Sequence, residues 1–393
     1  MAIVKFVEVC EKIGSGATPR GGKEAYSDEG ISLVRSQNVL DFSFSSDGLV
    51  HINDEQAKKL KNVELHPDDV LLNITGDSVA RACIMDSSFL PARVNQHVAI
   101  VRGKKELVLN SYILYYLQWK KDYLLQLASA GATRNALTKG MIEQLDINLP
   151  SLTEQKRIVA VLDSIQQKIS VNKKINDNLY EMLNAYYTSL FKENDCEMTT
   201  VGNYAERIYS GGTPMTSNAA YWNGTFGWFS SGETRNRFVI STEKTITQAG
   251  IDNSSTKLAT KYDIVMASAG QGFTRGQTSM LLIDTYVNQS VIVIKSERNI
   301  LPYLFWNLAN RYDELRAISD SSSIRGSLTT KMIAAFEIPL AKAQSLQAFA
   351  DFAWSVIHQI ENNLLENERL TALRDSLLPK LMSGEIDVSD IQL

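Results

Sequence analysis

The sequence has few cysteines and no long apolar runs, and each absence excludes a class of protein. Its cysteines are Cys10, Cys83 and Cys196, and their spacing fits neither a disulfide framework nor a metal site. No run approaches the roughly 18 apolar residues that a membrane span requires. The N-terminal segment MAIVKFVEVCEK contains acidic residues and lacks the cleavage pattern of a signal peptide. We therefore expect a cytoplasmic protein that does not contact a membrane.

The sequence also lacks the common catalytic motifs. Glycine-rich residues 14–22 are followed by Lys23 and Glu24, not by the Gly-Lys-Ser/Thr order that binds phosphate and Mg²⁺. The four histidines have no His, Asp or Glu at metal-ligand spacing. There is no Asn-Pro-Pro-aromatic run of amino-methyltransferases, no Gly-x-Ser-x-Gly elbow and no convincing dinucleotide fingerprint. We expect a non-catalytic chain that holds no metal or cofactor of its own.

The net charge of −4 argues at first against a nucleic-acid partner, because such partners usually attract basic proteins. The acidic excess is confined to one end of the chain. Residues 1–150 contain 17 basic and 18 acidic side chains and residues 196–340 contain 13 and 12, whereas residues 341–393 contain 4 and 8. The two nearly neutral segments therefore remain candidates for DNA binding.

The chain contains an internal duplication with a shift of about 195 residues. The matched segments are SGATP (15–19) with SGGTP (210–214) at a shift of 195, Gly76 and Arg81 with Gly270 and Arg275 at 194, VNQ (94–96) with VNQ (287–289) at 193, and Arg134 with Arg325 at 191. The shift drifts while the order of the segments is kept, as insertions and deletions in loops would produce. One unit is therefore used twice.

Each copy begins with a mixed α/β segment. Short apolar runs bounded by Gly, Asn, Asp and Ser predict strands, and an aromatic stretch in each copy, residues 110–128 and 300–318, predicts one helix. We predict two mixed domains at residues 1–150 and 196–341, both of common domain size. Helical segments follow them at residues 151–195 and 342–393.

The helical segments carry a coiled-coil pattern. Residues 152–192 and 343–382 are rich in helix formers and contain no glycine, and each predicts a helix about 60 Å long. Steps of four and three residues visit positions 158, 162, 165, 169, 172, 176, 179, 183, 186 and 190, and the positions 191 residues later in the second segment. Eight of the ten positions agree in residue type between the two segments. Because this agreement concerns the seam, we predict that the two helices pack on each other.

Two asparagines interrupt each apolar seam. If the helices run antiparallel, Asn172 lies opposite Asn367 and Asn176 lies opposite Asn363. Buried asparagines that partner one another fix the register of a coiled coil, whereas asparagines on a solvated flank do not; both alternatives remain. The predicted fold class is α+β, with a tandem duplication of a mixed α/β domain plus a long helix. The two helices are predicted to form an antiparallel coiled coil.

Polar side chains suited to reading DNA occur in the loops of both copies. Thr-Pro loops offer hydroxyl and backbone N–H groups to phosphate, arginine suits guanine or phosphate, and Asn and Gln suit adenine. The predicted DNA contacts are Thr18, Arg20, Gln37, Asn38, Arg81, Arg134, Thr213, Arg235, Asn236, Arg237, Arg275 and Arg325. The alternative for each is an ordinary strand connection or surface residue.

Several segments together resemble the specificity subunit of type I restriction-modification enzymes. In the second copy these are SGGTP (210–214), YWNG (221–224), the strand with Trp228, IPL (338–340) and LLPKLMSGEI (377–386). In the first copy, LPSLTEQKRIVAVLD (149–163) is similar to the start of that family's central conserved helix. The resemblance covers nearly the whole chain.

The resemblance implies two target-recognition domains, each reading one half of a split, asymmetric site in double-stranded DNA. It also implies helices that dock methyltransferase subunits, expected to be two, and restriction/translocase subunits reached through the complex. S-adenosylmethionine, ATP and Mg²⁺ would then be bound by those partners. Helices of fixed length would set the spacer between half-sites, and the two domains would lie about one helical turn of DNA apart, some 34 Å, by analogy with two-domain major-groove readers. The competing hypothesis is a coiled-coil scaffold whose two α/β domains bind protein or carbohydrate.

Overall fold

The computed structural model describes residues 2–19, 21–130, 135–191, 197–270, 272–321 and 326–391. The chain divides into two compact units, one formed by Met1–Ile169 with Arg369–Leu393 and the other by Ser170–Glu368. None of the helices in the described ranges is long and apolar enough to cross a membrane.

The first copy of the duplication consists of short strands and helices followed by one long helix. Its strands are β1 (Ala2–Lys5), β2 (Cys10–Ser15), β3 (Ile31–Val34), β4 (Val39–Leu40), β5 (Ser43–Phe44), β6 (Val50–Ile52), β7 (Val70–Asn73), β8 (Ala82–Ile84), β9 (Ala92–Val94), β10 (Val98–Gly103) and β11 (Asp146–Leu149). Its helices are α1 (Phe6–Val9), α2 (Asp54–Lys59), α3 (Asn110–Trp119), α4 (Lys121–Ser129), α5 (Lys139–Glu143) and α6 (Leu152–Leu190).

A central sheet in the order β2-β10-β7-β8 separates two apolar cores of the first copy. Every residue of β7 is buried, because alternate side chains of a strand point to opposite faces and both faces are covered. Val70 and Leu72 belong to the core that includes α3, whereas Leu71 belongs to the core that includes β3 and β9. The strands β3 and β9 run parallel within a second sheet of order β6-β3-β9.

The second copy contains a similar series of elements. Its strands are β12 (Met198–Thr200), β13 (Ala205–Ser210), β14 (Trp222–Phe229), β15 (Phe238–Val239), β16 (Lys244–Ile246), β17 (Lys257–Ala259), β18 (Ile264–Ala267), β19 (Thr278–Leu281), β20 (Thr285–Val287), β21 (Val291–Ser296) and β22 (Glu337–Pro339). Its helices are α7 (Val201–Tyr204), α8 (Gln248–Asp252), α9 (Leu301–Asn310), α10 (Tyr312–Ser321), α11 (Thr330–Ala334) and α12 (Ala343–Ser383).

The central sheet of the second copy has the order β13-β21-β18-β19-β15. Its first four strands correspond in order to β2-β10-β7-β8 of the first copy. Alternation along β18 again divides two cores, because Ile264 and Met266 lie in one and Val265 lies in the other. A second sheet, β16-β14-β20-β17, covers part of the second core. The predicted duplication of a mixed α/β domain is confirmed.

The prediction of one helix over residues 110–128 and one over 300–318 is wrong, because each stretch is broken into two helices. Lys120 (ψ 10°) ends α3 and Arg311 (ψ 32°) ends α9, both outside helical geometry. The helices α3 and α9 are buried along most of their length, whereas α4 and α10 bury only one side. A break between them lets each helix bury the side that its own sequence makes apolar.

The helices α6 and α12 pack antiparallel in the unit formed by residues 170–368. Asn172 Nδ2 donates a hydrogen bond to Asn367 Oδ1 at 2.9 Å, and Asn363 Nδ2 donates one to Asn176 Oδ1 at 2.7 Å. Residue numbers rise along α6 where they fall along α12, which defines antiparallel packing. Asn172, Asn363 and Asn367 are buried. The two asparagine pairs are those predicted from the heptad positions. That these pairs set the register of the coiled coil remains a prediction.

The other unit contains the beginning of α6 and the end of α12, and these also pack together. Arg374 Nη1 donates a hydrogen bond to Gln166 Oε1 at 2.7 Å. Leu162 and Leu381 lie in the same apolar core. Arg374 is a charged residue at a seam position, and two features accommodate it. Its guanidinium carbon lies 4.1 Å from the centroid of the Phe42 ring, and its long aliphatic stem is buried.

Candidate nucleic-acid interface

The Thr-Pro loops of the two copies make the same side-chain contact. Thr18 Oγ1 donates a hydrogen bond to Gln96 Oε1, and Thr213 Oγ1 donates one to Gln289 Oε1. Both glutamines are exposed. Gln96 Nε2 lies 3.1 Å from His97 Nε2, whereas Gln289 Nε2 makes no hydrogen bond within the described ranges. The prediction from sequence omits both glutamines, although the match between the VNQ segments is the signal that marks them.

A glycine in each Thr-Pro loop allows a close approach to the neighbouring strand. A Cβ on Gly16 would lie 1.7 Å from Val94 O, and a Cβ on Gly211 would lie 1.9 Å from Val287 O. Any larger residue would push the loop off the strand, because real Cβ atoms do not come so close to backbone oxygen. In each copy the glycine therefore allows the threonine two residues later to lie beside its glutamine partner.

Gln37 and Asn38 differ in what they leave available for a ligand. Asn38 is fully buried, and its Nδ2 donates hydrogen bonds to Ser45 O at 2.9 Å and Asp47 O at 3.2 Å. Its Oδ1 accepts a hydrogen bond from Arg35 N at 3.0 Å. Gln37 is exposed, and its Nε2 donates hydrogen bonds to Asp47 O at 3.1 Å and Gly48 O at 3.4 Å. The Asn38 amide thus holds a turn, whereas the Gln37 side-chain oxygen accepts no hydrogen bond from the described residues and is available to a ligand.

The predicted match between Arg81 and Arg275 is wrong, because the hydrogen bonds match Arg81 with Gln277. Asn73 N donates to Arg81 O at 2.8 Å, and Ala267 N donates to Gln277 O at 3.0 Å. These equivalent bonds lie at the same place between the central strands of each copy. Arg81 is half-buried, and its guanidinium makes no hydrogen bond or ion pair among the described residues. It remains a predicted DNA contact.

The turn residues give the reason for this change of register. Ala80 (φ 67°) and Gly276 (φ 84°) share the left-handed conformation, and they precede Arg81 and Gln277. The shift between the copies is therefore 196 at the end of this loop but 194 at Gly76 and Gly270. The loop of the second copy is two residues longer.

Arg275 is engaged within the second copy. Its Nη2 lies 2.8 Å from Asp320 Oδ1, and its Nη1 donates hydrogen bonds to Ser319 Oγ at 3.3 Å and to Gly326 O. The side chain is 17% exposed. The guanidinium therefore attaches the loop after β18 to α10, and a direct contact between Arg275 and DNA remains a prediction.

Residues 235–237 lie together on the surface of the second copy, and all three are exposed. Arg235 forms an ion pair with Glu243. The Arg237 guanidinium carbon lies 3.9 Å from the Tyr180 ring centroid, and this guanidinium makes no hydrogen bond or ion pair within the described part of the chain. Both arginines line two open cavities of about 460 and 640 Å³, and Asn236 lines the larger. Arg237 thus presents free N–H donors on a fixed aromatic support.

Arg20, Arg134 and Arg325 lie outside the described residues. Across the described ranges, no group of three or more His, Cys, Asp or Glu side chains is placed to hold a metal ion. Burial raises the pKa of both the Cys10 and Cys83 thiols to about 12, so neither is a nucleophile at neutral pH.

Comparison with known proteins identifies the family. Residues 1–181 and 195–372 each match the model of the type I restriction modification DNA specificity domain. The chain belongs to this family. Each matched range covers one copy of the duplication, so the chain carries two specificity domains.

Three specificity subunits are similar to this chain at low sequence identity. The EcoR124I/EcoR124II specificity subunit of Escherichia coli is 26% identical over 208 residues, which make up 51% of this chain and 51% of that protein. That match thus spans about half the length of the relative. The HindI specificity subunit of Haemophilus influenzae is 19% identical over 91% of this chain and 94% of its own length. The MjaIX specificity subunit of Methanocaldococcus jannaschii is 21% identical over 99% and 94%.

A solved structure shows the same fold. The S subunit of the type I restriction-modification system from M. genitalium superposes with a TM-score of 0.60 at 14% identity, covering 97% of this chain and 96% of that one. The similarity extends over both copies of the duplication.

Proposed function

We propose that this chain is the DNA-recognition subunit of a type I restriction-modification complex and that each mixed domain reads one half of a bipartite site. Family membership supports DNA as the ligand and argues against a scaffold that binds only protein or carbohydrate. The duplication supports two half-sites, because both copies keep the same central strand order and the same Thr–Gln contact.

The observation that carries this proposal is that a shared framework presents different surface loops. The first copy offers Gln37 and Arg81, whereas the second offers Arg237 and a longer loop after β18. Side chains in loops read base edges, so different loops select different bases. The two half-sites therefore differ, and the full site is asymmetric.

The long helices α6 and α12 set the distance between the half-sites in this proposal. The Asn172–Asn367 and Asn176–Asn363 pairs support a single register, because a slip by one heptad would leave buried amides without partners. A fixed register of α6 against α12 therefore fixes the length of the DNA spacer between the half-sites.

The same helices dock the methyltransferase subunits, and through them the restriction/translocase subunits. Val171, Ile175 and Met182 are 50%, 38% and 43% exposed. They lie on one side of α6, since steps of four and seven residues return to the same side of a helix. An apolar stripe of this kind suits a protein partner. Two methyltransferase subunits fit the duplicated chain.

In this proposal the chain contributes recognition, spacing and docking, and the chemistry belongs to its partners. S-adenosylmethionine is bound by the methyltransferase subunits, and ATP and Mg²⁺ by the restriction subunit. The nearly neutral recognition domains fit this division, because their own attraction for phosphate is weak and the partners supply the rest.

Expression with the methyltransferase subunit of the same system, followed by single-molecule sequencing of host DNA, tests the proposal. Methylated bases should fall in one bipartite, asymmetric sequence. Exchanging residues 1–150 for the same domain of a relative should change one half of that sequence and leave the other intact. Methylation without a defined sequence would exclude the proposed function, and a change in both halves would exclude independent reading by the two domains.

A further inference from the structure

Phe273 is 82% exposed, in the loop between β18 and β19 of the second copy. Burying a phenylalanine side chain stabilises a fold by about 1.5–3 kcal/mol, and Phe273 contributes little of this. A large apolar side chain held in water is common at binding surfaces. The exposure of Phe273 therefore indicates a binding role.

The first copy shows that the fold does not require Phe273. Asp77 separates Gly76 from the turn that begins at Ser78, whereas three residues including Gly272 and Phe273 occupy the equivalent place in the second copy. The framework forms the same strand pairs on both sides of the shorter loop. The two additional residues are therefore not required for the strand pairing.

Side chains of α10 fix the backbone that carries Phe273. Tyr312 Oη donates a hydrogen bond to Phe273 O at 2.8 Å, and Arg316 Nη1 donates one to Gly272 O at 2.5 Å. Arg275, two residues farther on, is attached to Asp320 of the same helix. Because these contacts hold the loop backbone, less backbone entropy is lost on binding.

The surroundings of Phe273 suit a nucleic acid. It lines the cavity of about 460 Å³ together with Tyr180, Tyr312, Arg237 and the acidic Glu181. Arg237 brings a guanidinium that forms no ion pair within the described ranges. An apolar side chain beside a free guanidinium can contact a base and the neighbouring phosphate or guanine edge at once.

We propose that Phe273 is a base-contacting residue of the second domain and determines specificity in one half-site. Its side chain packs against bases while Arg237 binds beside it. The proposal rests on the proposed function and deepens it. DNA is favoured over a protein partner because the Arg237 guanidinium beside Phe273 offers donors that suit a phosphate or a guanine edge.

The test uses the full chain in complex with its methyltransferase and duplexes that carry the mapped site. Phe273→Ala should weaken binding to the intact site by roughly ten- to a hundredfold. Binding to a duplex with a scrambled second half-site should change little. Phe273→Leu should retain part of the affinity, because it keeps an apolar side chain. Met198→Ala is the control, since Met198 is also exposed (52%) but lies on β12, outside this loop.

Removal of Gly272 and Phe273 gives the second domain the loop length of the first and provides a second variant. It should fold, assemble with the methyltransferase and lose selection of the second half-site only. Unchanged affinity and unchanged methylated sites in both variants would overturn the role of Phe273 while leaving the proposed function intact. If a variant no longer assembled with the methyltransferase but still bound DNA normally, the role of Phe273 would also be overturned, in favour of a contact with a protein. Absence of sequence-specific binding by the unaltered complex would instead refute the proposed function.

Discussion

The Tyr312 hydroxyl donates a hydrogen bond to the carbonyl oxygen of Phe273 across 2.8 Å. This bond connects a helix that is packed against the core to the most exposed large apolar side chain among the described residues, at 82%. The second domain thus keeps a rigid attachment for a side chain that its own core does not use.

Tyr312→Phe should loosen this attachment without removing Phe273. Loss of one hydrogen bond should lower the free energy of unfolding by about 1 kcal/mol. Affinity for the second half-site should fall, but by less than in Phe273→Ala, since the aromatic side chain is still present. Titration of both variants with the same duplex measures the difference. Tyr123→Phe, which removes an exposed hydroxyl on α4, is the control and should change neither quantity. An effect of Tyr312→Phe larger than that of Phe273→Ala would contradict the positioning role.

Asn172→Leu should destabilise the coiled coil because it removes the hydrogen bond that Asn172 Nδ2 donates to Asn367 Oδ1 between two buried side chains. The expected loss is about 1–3 kcal/mol in free energy of unfolding, measured by chemical denaturation. Asn172→Leu combined with Asn367→Leu should recover most of that loss, because two apolar residues can pack where two amides met. Asn178→Leu, on the exposed side of α6, should have little effect. Equal destabilisation by the single and double variants would show that the pair is not coupled.

Gly211→Ala should destabilise the second domain, because the added Cβ would lie 1.9 Å from Val287 O. The loop and the strand must shift to relieve this clash, which should lower the free energy of unfolding by about 1–3 kcal/mol. Gly232→Ala in the same domain is the control, since its Cβ would meet no atom within 4 Å. The two variants can be compared by thermal unfolding. Similar melting temperatures would mean that the Thr-Pro loop tolerates displacement, and the glycine would then not position Thr213.

Insertion of one heptad into both α6 and α12 at their centres should lengthen the spacer between half-sites. Seven residues add about 10 Å of helix, equivalent to about 3 base pairs of DNA. The methylated sequence should keep both half-sites and change only in the spacer. Insertion into α6 alone should break the asparagine pairs and lower stability. An unaltered spacer in the double insertion would exclude the helices as the element that sets it.

Periodicity made much of the fold predictable. The heptad positions predict the contacts between α6 and α12, because a seam of fixed spacing can face only one way on a helix. The asparagine pairing follows from the same spacing, as Asn172 and Asn367 show. The break at Arg311 was not predictable, because residues 300–318 continue an apolar pattern across it.

The candidate site was predictable in its loops but not in its individual contacts. Arg81 and Arg275 align by residue type, although hydrogen bonds equate Arg81 with Gln277. Asn38 has the chemistry to read adenine, yet its amide is used to hold a turn. A side chain's neighbours decide whether its donors are free, and these neighbours come from distant parts of the chain.

The order of residues was enough to predict the duplication, the two mixed domains, the paired helices and the family, because repeats and apolar periods are properties of residue order. Which polar side chains remain available for a ligand depends instead on the folded structure. Arg275 and Asn38 are engaged by residues that folding brings beside them, while Arg237 and Phe273 are left available. The free energy of a hydrogen bond or ion pair depends on geometry within a few ångströms, which residue order does not specify.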